Sequence, residues 1–229
     1  MPLDQILSEL RSLASPRNVA GMARFGIRPA NPLGISVTTL RKLARSIPRD
    51  HDLAEALWAT GIHEARILAS IVDVPAAVTE EQMERWAAAF DSWDLCDQCC
   101  GNLFDKTPFA WKKVREWCRR EEEFVRRAGF ALLAWLAVHD KKTGDELFIA
   151  AFPLIREGAP DGRNFVRKAV DWALRQTGKR NLALHGKAVA LAEELGRLDA
   201  KSARWIARNT LRELTGEKVR LRLEGKKGA

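Results

Sequence analysis

Phe165-Val166-Arg167-Lys168-Ala169-Val170-Asp171-Trp172-Ala173-Leu174-Arg175 reads as one amphipathic helix, and its pattern recurs along the chain. Phe165, Val166, Ala169, Val170 and Ala173 share one face at the three- and four-residue spacing of an α-helix. Lys168, Trp172, Arg175 and Lys179 share another. Working outward, helical patterns cover roughly 181–195 and 199–214 on one side, and 122–137, 108–119, 62–74 and 51–60 on the other. Leu3, Ile6, Leu7, Leu10 and Leu13 form a stripe after Pro2. Ser36 opens another, with Val37, Leu40, Leu43, Ala44 and Ile47, and Pro48 follows its end. Thr79–Gln82 and Thr143–Glu146 both have capping-box spacing. No stretch sustains the alternation of a strand.

Helices of ordinary length joined by short loops predict helix pairs stacked on one another. Two helices with their turns take about 40 residues, the period of HEAT-like repeats. The expected fold is therefore an all-α, HEAT-like helical-repeat solenoid, with a compact helical bundle as the competing architecture. A single domain is expected over 1–216, with an irregular loop at 28–34 and a basic, flexible tail over 217–229.

Composition narrows the function classes. The 229 residues are 46% hydrophobic, enough for a real core, and the formal net charge of +8 points to a polyanionic partner. No apolar run has the length of a membrane span. Met1-Pro2-Leu3-Asp4 lacks the charged start and apolar core of a secretory signal, so the reading is cytoplasmic. Cys96, Cys99 and Cys100 share one predicted helix and cannot easily bridge one another. With no second Cys-x2-Cys and no histidine pair nearby, small buried thiols are expected there rather than a metal site. Aromatic usage is lopsided, with 8 Trp, 9 Phe and no Tyr.

Chemistry is suggested first by Ser92-Trp93-Asp94-Leu95-Cys96-Asp97-Gln98-Cys99-Cys100-Gly101-Asn102-Leu103-Phe104. Helical spacing puts Trp93, Asp97, Cys100 and Phe104 nearly in line, so Asp97 is a carboxylate on an otherwise apolar stripe. Such a group is costly unless it is paired or solvated in a cleft. A helix N-terminus, with Ser92 capping and Asp94 complementing the dipole, explains Asp94. It leaves Asp97 unexplained, because Asp97 lies beyond the first turn. On the helix at 163–178, Trp172 sits among cations. Lysine and arginine stems covering a half-buried tryptophan and a nucleic-acid contact both fit that spacing. Arg127 shares its face with Phe124, Ala128 and Ala131. By itself it reads as a surface arginine paired with Glu121 or Glu123, although such a guanidinium can also grip a carboxylate or phosphate.

Taken in order, these segments resemble the AlkD-like DNA alkylation repair glycosylases, a family of HEAT-like repeat proteins. The resemblance runs from about Asn18 to Leu214 through Met22-Ala23-Arg24-Phe25, Leu33-Gly34-Ile35, Ser92 to Asp97, Val125-Arg126-Arg127-Ala128 and Phe165 to Arg175. It implies a concave, basic face on which Trp93, Asp97, Arg127 and Trp172 surround a lesion. It also implies that Lys168, Arg175 and Lys179 grip the DNA backbone and that Phe25 touches DNA. Two departures stand beside this. An active family member has a further tryptophan where this chain has Ser92, and a tyrosine where it has Phe25.

The resemblance implies hydrolysis of the N-glycosidic bond of purines alkylated at N3 or N7 in double-stranded DNA, by a monomer, with no cofactor or metal. The alkylated base is a cation and already a good leaving group, so the sugar carries the remaining difficulty as it becomes oxocarbenium-like. A carboxylate near C1′ stabilises that charge and can accept a proton from attacking water. Asp97 is the candidate. Trp93 and Trp172 offer π faces to the developing cation, and Arg127 holds the phosphate beside the lesion. The alternative is a non-catalytic repeat module binding damaged or branched nucleic acid, or a protein partner. A pure phosphate binder has no use for Asp97, which would repel DNA.

Overall fold

Ser15, Ser36, Asp50, Thr79 and Asn181 each stand one residue ahead of a helix, and each side chain accepts a backbone N–H three residues on. These caps satisfy donors that a first turn leaves without an intrahelical partner, and they set where five helices begin. The computed structural model describes residues 1–225, in which every regular element is helical. The chain divides into two compact units, Met1–Phe109 and Ala110–Ala229, where sequence patterning suggests one domain over 1–216.

The first unit contains α1 (Leu3–Ser12), α2 (Pro16–Met22), α3 (Val37–Ala44), α4 (His51–Ala59), α5 (His63–Val72), α6 (Glu80–Ala88) and α7 (Trp93–Asn102), with short 3-10 turns at Ala23–Phe25 and Phe104–Lys106. Trp58 and Trp86 stack at 4.0 Å between centroids, and Phe90 and Phe104 close around them. Helix α2 is an addition to the sequence reading. The loop at 28–34 is irregular, as expected. Glu64 on α5, 1% exposed, accepts from the backbone N–H groups of Leu33 at 2.7 Å, Gly34 at 2.6 Å and Ile35 at 3.2 Å. A buried carboxylate holding three amides fixes the loop. Gly34 has φ +77, and an added Cβ would meet the Ser15 carbonyl at 2.5 Å, so only glycine fits there.

The second unit contains α8 (Ala110–Trp117), α9 (Glu123–His139), α10 (Asp145–Gly158), α11 (Asn164–Gly178), α12 (Leu182–Gly196), α13 (Lys201–Leu214) and α14 (Glu217–Gly225). Helix α9 is its core element and lies against α8 and α11, while α13 lies against α11 and α12. Thr143 does not cap α10. Gly144 holds the N-cap position, and the Thr143 hydroxyl turns to Asp140. Residues 217–225, expected as part of a tail, form α14 and bury Val219 and Leu223. The last four residues of that expected tail lie outside the described residues.

Gly129 sets how closely α8 and α9 meet. A Cβ there would sit 2.5 Å from the Cys118 backbone nitrogen and 2.8 Å from the Trp117 carbonyl carbon. Backbone cannot yield as a side-chain tip can. Gly129→Ala is expected to destabilise the chain by about 1–3 kcal/mol, an overpacking cost. A thermal melt matching the wild type would contradict this close approach.

Candidate nucleic-acid interface

In the first unit, the loop held by Glu64 carries α2 and the turn after it into position. Leu33 accepts from the Ser15 backbone N–H at 2.7 Å, and Gly34 accepts from the Asn18 amide at 2.9 Å. At the end of this segment, the Phe25 carbonyl accepts the Trp93 indole N–H at 2.9 Å. The structure thus brings Phe25 and Trp93 together. Trp93 is half-buried with its N–H engaged, and Phe25 is 70% exposed.

The stripe predicted on α7 divides along its length. Cys100 and Phe104 are fully buried, whereas Trp93 and Asp97, one turn apart, are half-buried. Asp97 therefore stands where the stripe leaves the core, within reach of solvent. Cys96, Cys99 and Cys100 are buried free thiols, and burial pushes the Cys99 and Cys100 thiols well up.

Asp94 lies in the first turn of α7, as expected, but Ser92 departs from its expected role. Ser92 is buried and its side chain makes no cap, so the α7 N-terminus is not closed by its own serine. Asp94 also meets His63 of α5, with His63 Nε2 2.9 Å from the Asp94 carboxylate. The histidine side chain is 2% exposed and the aspartate 16%. Burial disfavours both charges, but each outweighs that cost for the other. The His63 pKa is raised above its ordinary value and that of Asp94 is lowered. The pair ties the first turn of α7, and with it Trp93, to α5.

In the second unit, Arg127 is not the surface arginine that its neighbours in sequence suggest. It is 5% exposed, and its guanidinium donates to the Phe165 carbonyl of α11 at 2.7 Å. That contact joins the two helices carrying the remaining candidates. Trp172 is half-buried and meets Trp135 edge-to-face at 5.4 Å, and Trp135 stacks on His139 at 4.8 Å. Sequence reasoning missed Trp135 and His139. Their signal was available, since Arg127, Ala131, Trp135 and His139 recur every fourth residue on α9.

The three cations expected to grip a backbone differ. Lys168 is exposed. Arg175 and Lys179 both pair with Glu213 of α13, and Arg175 also holds Asp171 at 3.0 Å. Further cationic surface lies on α13, where Lys201, Arg204, Arg208 and Arg212 are exposed along one face. Beside it, the Arg167 guanidinium lies 4.4 Å over the Trp205 ring in a cleft of about 590 Å³.

Helices against helices throughout the described residues define an all-α, HEAT-like repeat protein. The profile of the DNA alkylation repair enzyme family matches residues 6–214, and the chain belongs to that family. An uncharacterized protein of Listeria innocua, Lin0241, is 22% identical over 199 residues, covering 85% of this chain and 87% of its own length. Lmo0209 of Listeria monocytogenes, also uncharacterized, is 21% identical over the same shares. A solved structure matches with a TM-score of 0.78 at 20% identity, over 93% of this chain and 95% of its own. It is described as a new family of proteins related to the HEAT-like repeat DNA glycosylases with affinity for branched DNA structures. No helix of the described residues is long and apolar enough to cross a membrane.

Proposed function

We propose that this chain is a monofunctional DNA glycosylase that hydrolyses the N-glycosidic bond of cationic N3- or N7-alkylated purines in duplex DNA. It acts as a cytoplasmic monomer. The observation that carries this reading is Asp97, a half-buried carboxylate one helical turn from a half-buried tryptophan, in a member of the DNA alkylation repair enzyme family.

As the bond between C1′ and the base lengthens, its electrons go to the base and neutralise the charge that alkylation placed there. Positive charge moves to the sugar. Asp97 stabilises that charge and takes a proton from the water that bonds to C1′, leaving free base and an abasic sugar. The Trp93 N–H is held by the Phe25 carbonyl, which fixes the ring while its π surface serves the sugar. In the second unit Trp172 meets the DNA, and Arg127, buried and bonded to the Phe165 carbonyl, fixes the helix that carries it. Trp172 and Trp135 meet edge-to-face, so the orientation of Trp172 is set by packing.

Trp93→Ala and Trp172→Ala should each slow single-turnover base release by about 2- to 30-fold, the value of about 0.5–2 kcal/mol for a cation on an aromatic face. Unchanged rates for both would remove the indoles from the mechanism. The second reading, a non-catalytic binder of branched DNA, is favoured by the solved relative's described affinity. Base release from methylated duplex DNA separates the two, since a binder releases none.

A further inference from the structure

Arg175 and Lys179 converge on one carboxylate. Glu213 accepts from Lys179 Nζ at 2.6 Å and pairs with the Arg175 guanidinium on its other oxygen. Behind it, Arg175 Nε donates to Asp171 at 3.0 Å, and Asp171 also takes the Thr210 hydroxyl at 3.3 Å. The two anions are not equivalent. The Asp171 side chain is 5% exposed, while that of Glu213 is 33% exposed. If Asp171 left, a half-buried guanidinium would lose its inner partner. Glu213 can rotate into solvent while Asp171 keeps Arg175 aimed. A carboxylate offering two oxygens to two cations has the recognition chemistry of a phosphodiester, which likewise presents two oxygens and one negative charge.

We propose that Arg175 and Lys179 form a phosphodiester seat that Glu213 occupies in the free protein, and that a DNA backbone phosphate displaces this carboxylate on binding. Glu213 is then the residue that sets affinity for nucleic acid, an inference that rests on the DNA-binding part of the function proposed above. Burial works against the Glu213 charge, but Lys179 and Arg175 hold its pKa below the ordinary value, so it remains a competing anion across the neutral range. The competition selects among anions. A single small anion gains little by exchanging with Glu213. A duplex anchored elsewhere presents its phosphate at high effective concentration and wins the seat.

The test uses the full chain and undamaged fluorescent duplex DNA, titrated by anisotropy over a salt series, with thermal melts as the fold control. Glu213→Gln should bind about tenfold tighter at low salt. Its plot of log affinity against log salt should keep the wild-type slope, because the same phosphate is neutralised in both proteins. Lys179→Gln added to Glu213→Gln should cancel most of that gain. Lys179→Gln alone should weaken binding and make the slope shallower by about 0.9, the increment for one phosphate neutralised. If Glu213→Gln melts early, Lys179→Gln alone still decides, because a purely structural ion pair leaves the slope unmoved. Affinity that is unchanged or weaker in a folded Glu213→Gln protein overturns the seat. Wild-type protein that binds duplex but releases no methylated base leaves the seat standing and removes only the glycosylase reading. Failure of both proteins to bind duplex removes DNA as the partner altogether.

Discussion

Asp97→Asn is expected to fold and bind duplex DNA like the wild type while releasing alkylated base about a hundredfold more slowly. The amide is nearly isosteric, and Asp97 is only half-buried, so α7 should accept it. On the proposed mechanism, what disappears is one preorganised negative charge at the sugar, together with the acceptor for water's proton. Loss of such a charge at a transition state costs on the order of 3 kcal/mol, which is about two decades in rate. DNA affinity should hold or rise slightly, because a carboxylate facing a polyanion repels it. Single-turnover release of 7-methylguanine or 3-methyladenine measures the first effect, and anisotropy measures the second. Equal rates for the two proteins would remove Asp97 from the mechanism. A joint loss of binding and rate would make it structural.

Asp94→Ala is expected to give the largest loss of stability, about 3 kcal/mol, with a melt lower by several degrees. Removing one partner of a buried ion pair leaves the other charge without compensation. His63 is 2% exposed and has no water to turn to. The pH dependence follows from the two shifts. The raised His63 pKa makes its contribution complete below the ordinary 6.5 and lost as pH rises through the raised value. The lowered Asp94 pKa makes its contribution complete above the ordinary 3.8 and lost as pH falls through the lowered value. The difference between wild type and Asp94→Ala should therefore be greatest between pH 3.8 and 6.5 and shrink in alkaline solution. A difference independent of pH from 5 to 10 would show that the pair is uncharged.

Asp94 and Asp97 illustrate what was legible. Periodicity alone separated them, because it placed Asp97 on a stripe and Asp94 at a helix start. The same reading assigned Asp94 to the helix dipole, since nothing in sequence brings residue 63 beside residue 94. Pairings of that kind are decided by packing: His63 with Asp94, Glu64 with the amides of 33–35, and Glu213 with Arg175 and Lys179. Arg127 shows the same limit in reverse. Its acidic neighbours in sequence suggested a surface pair, but α9 turns it toward the Phe165 carbonyl, 38 residues away. Amphipathic stripes were the reliable signal, because burial of an apolar face is what makes each helix form. Helix α2 was missed where the stripe is too short to read, and no residue of it is buried.

Single-turnover release of free base from duplex DNA carrying 7-methylguanine and 3-methyladenine, with wild-type protein in excess, tests the central claim most directly. The glycosylase account predicts release of the alkylated purine as a free base, leaving an abasic site in an otherwise intact strand. Protein that binds the same duplex and releases no base above the spontaneous rate would contradict it and leave the chain a nucleic-acid binder.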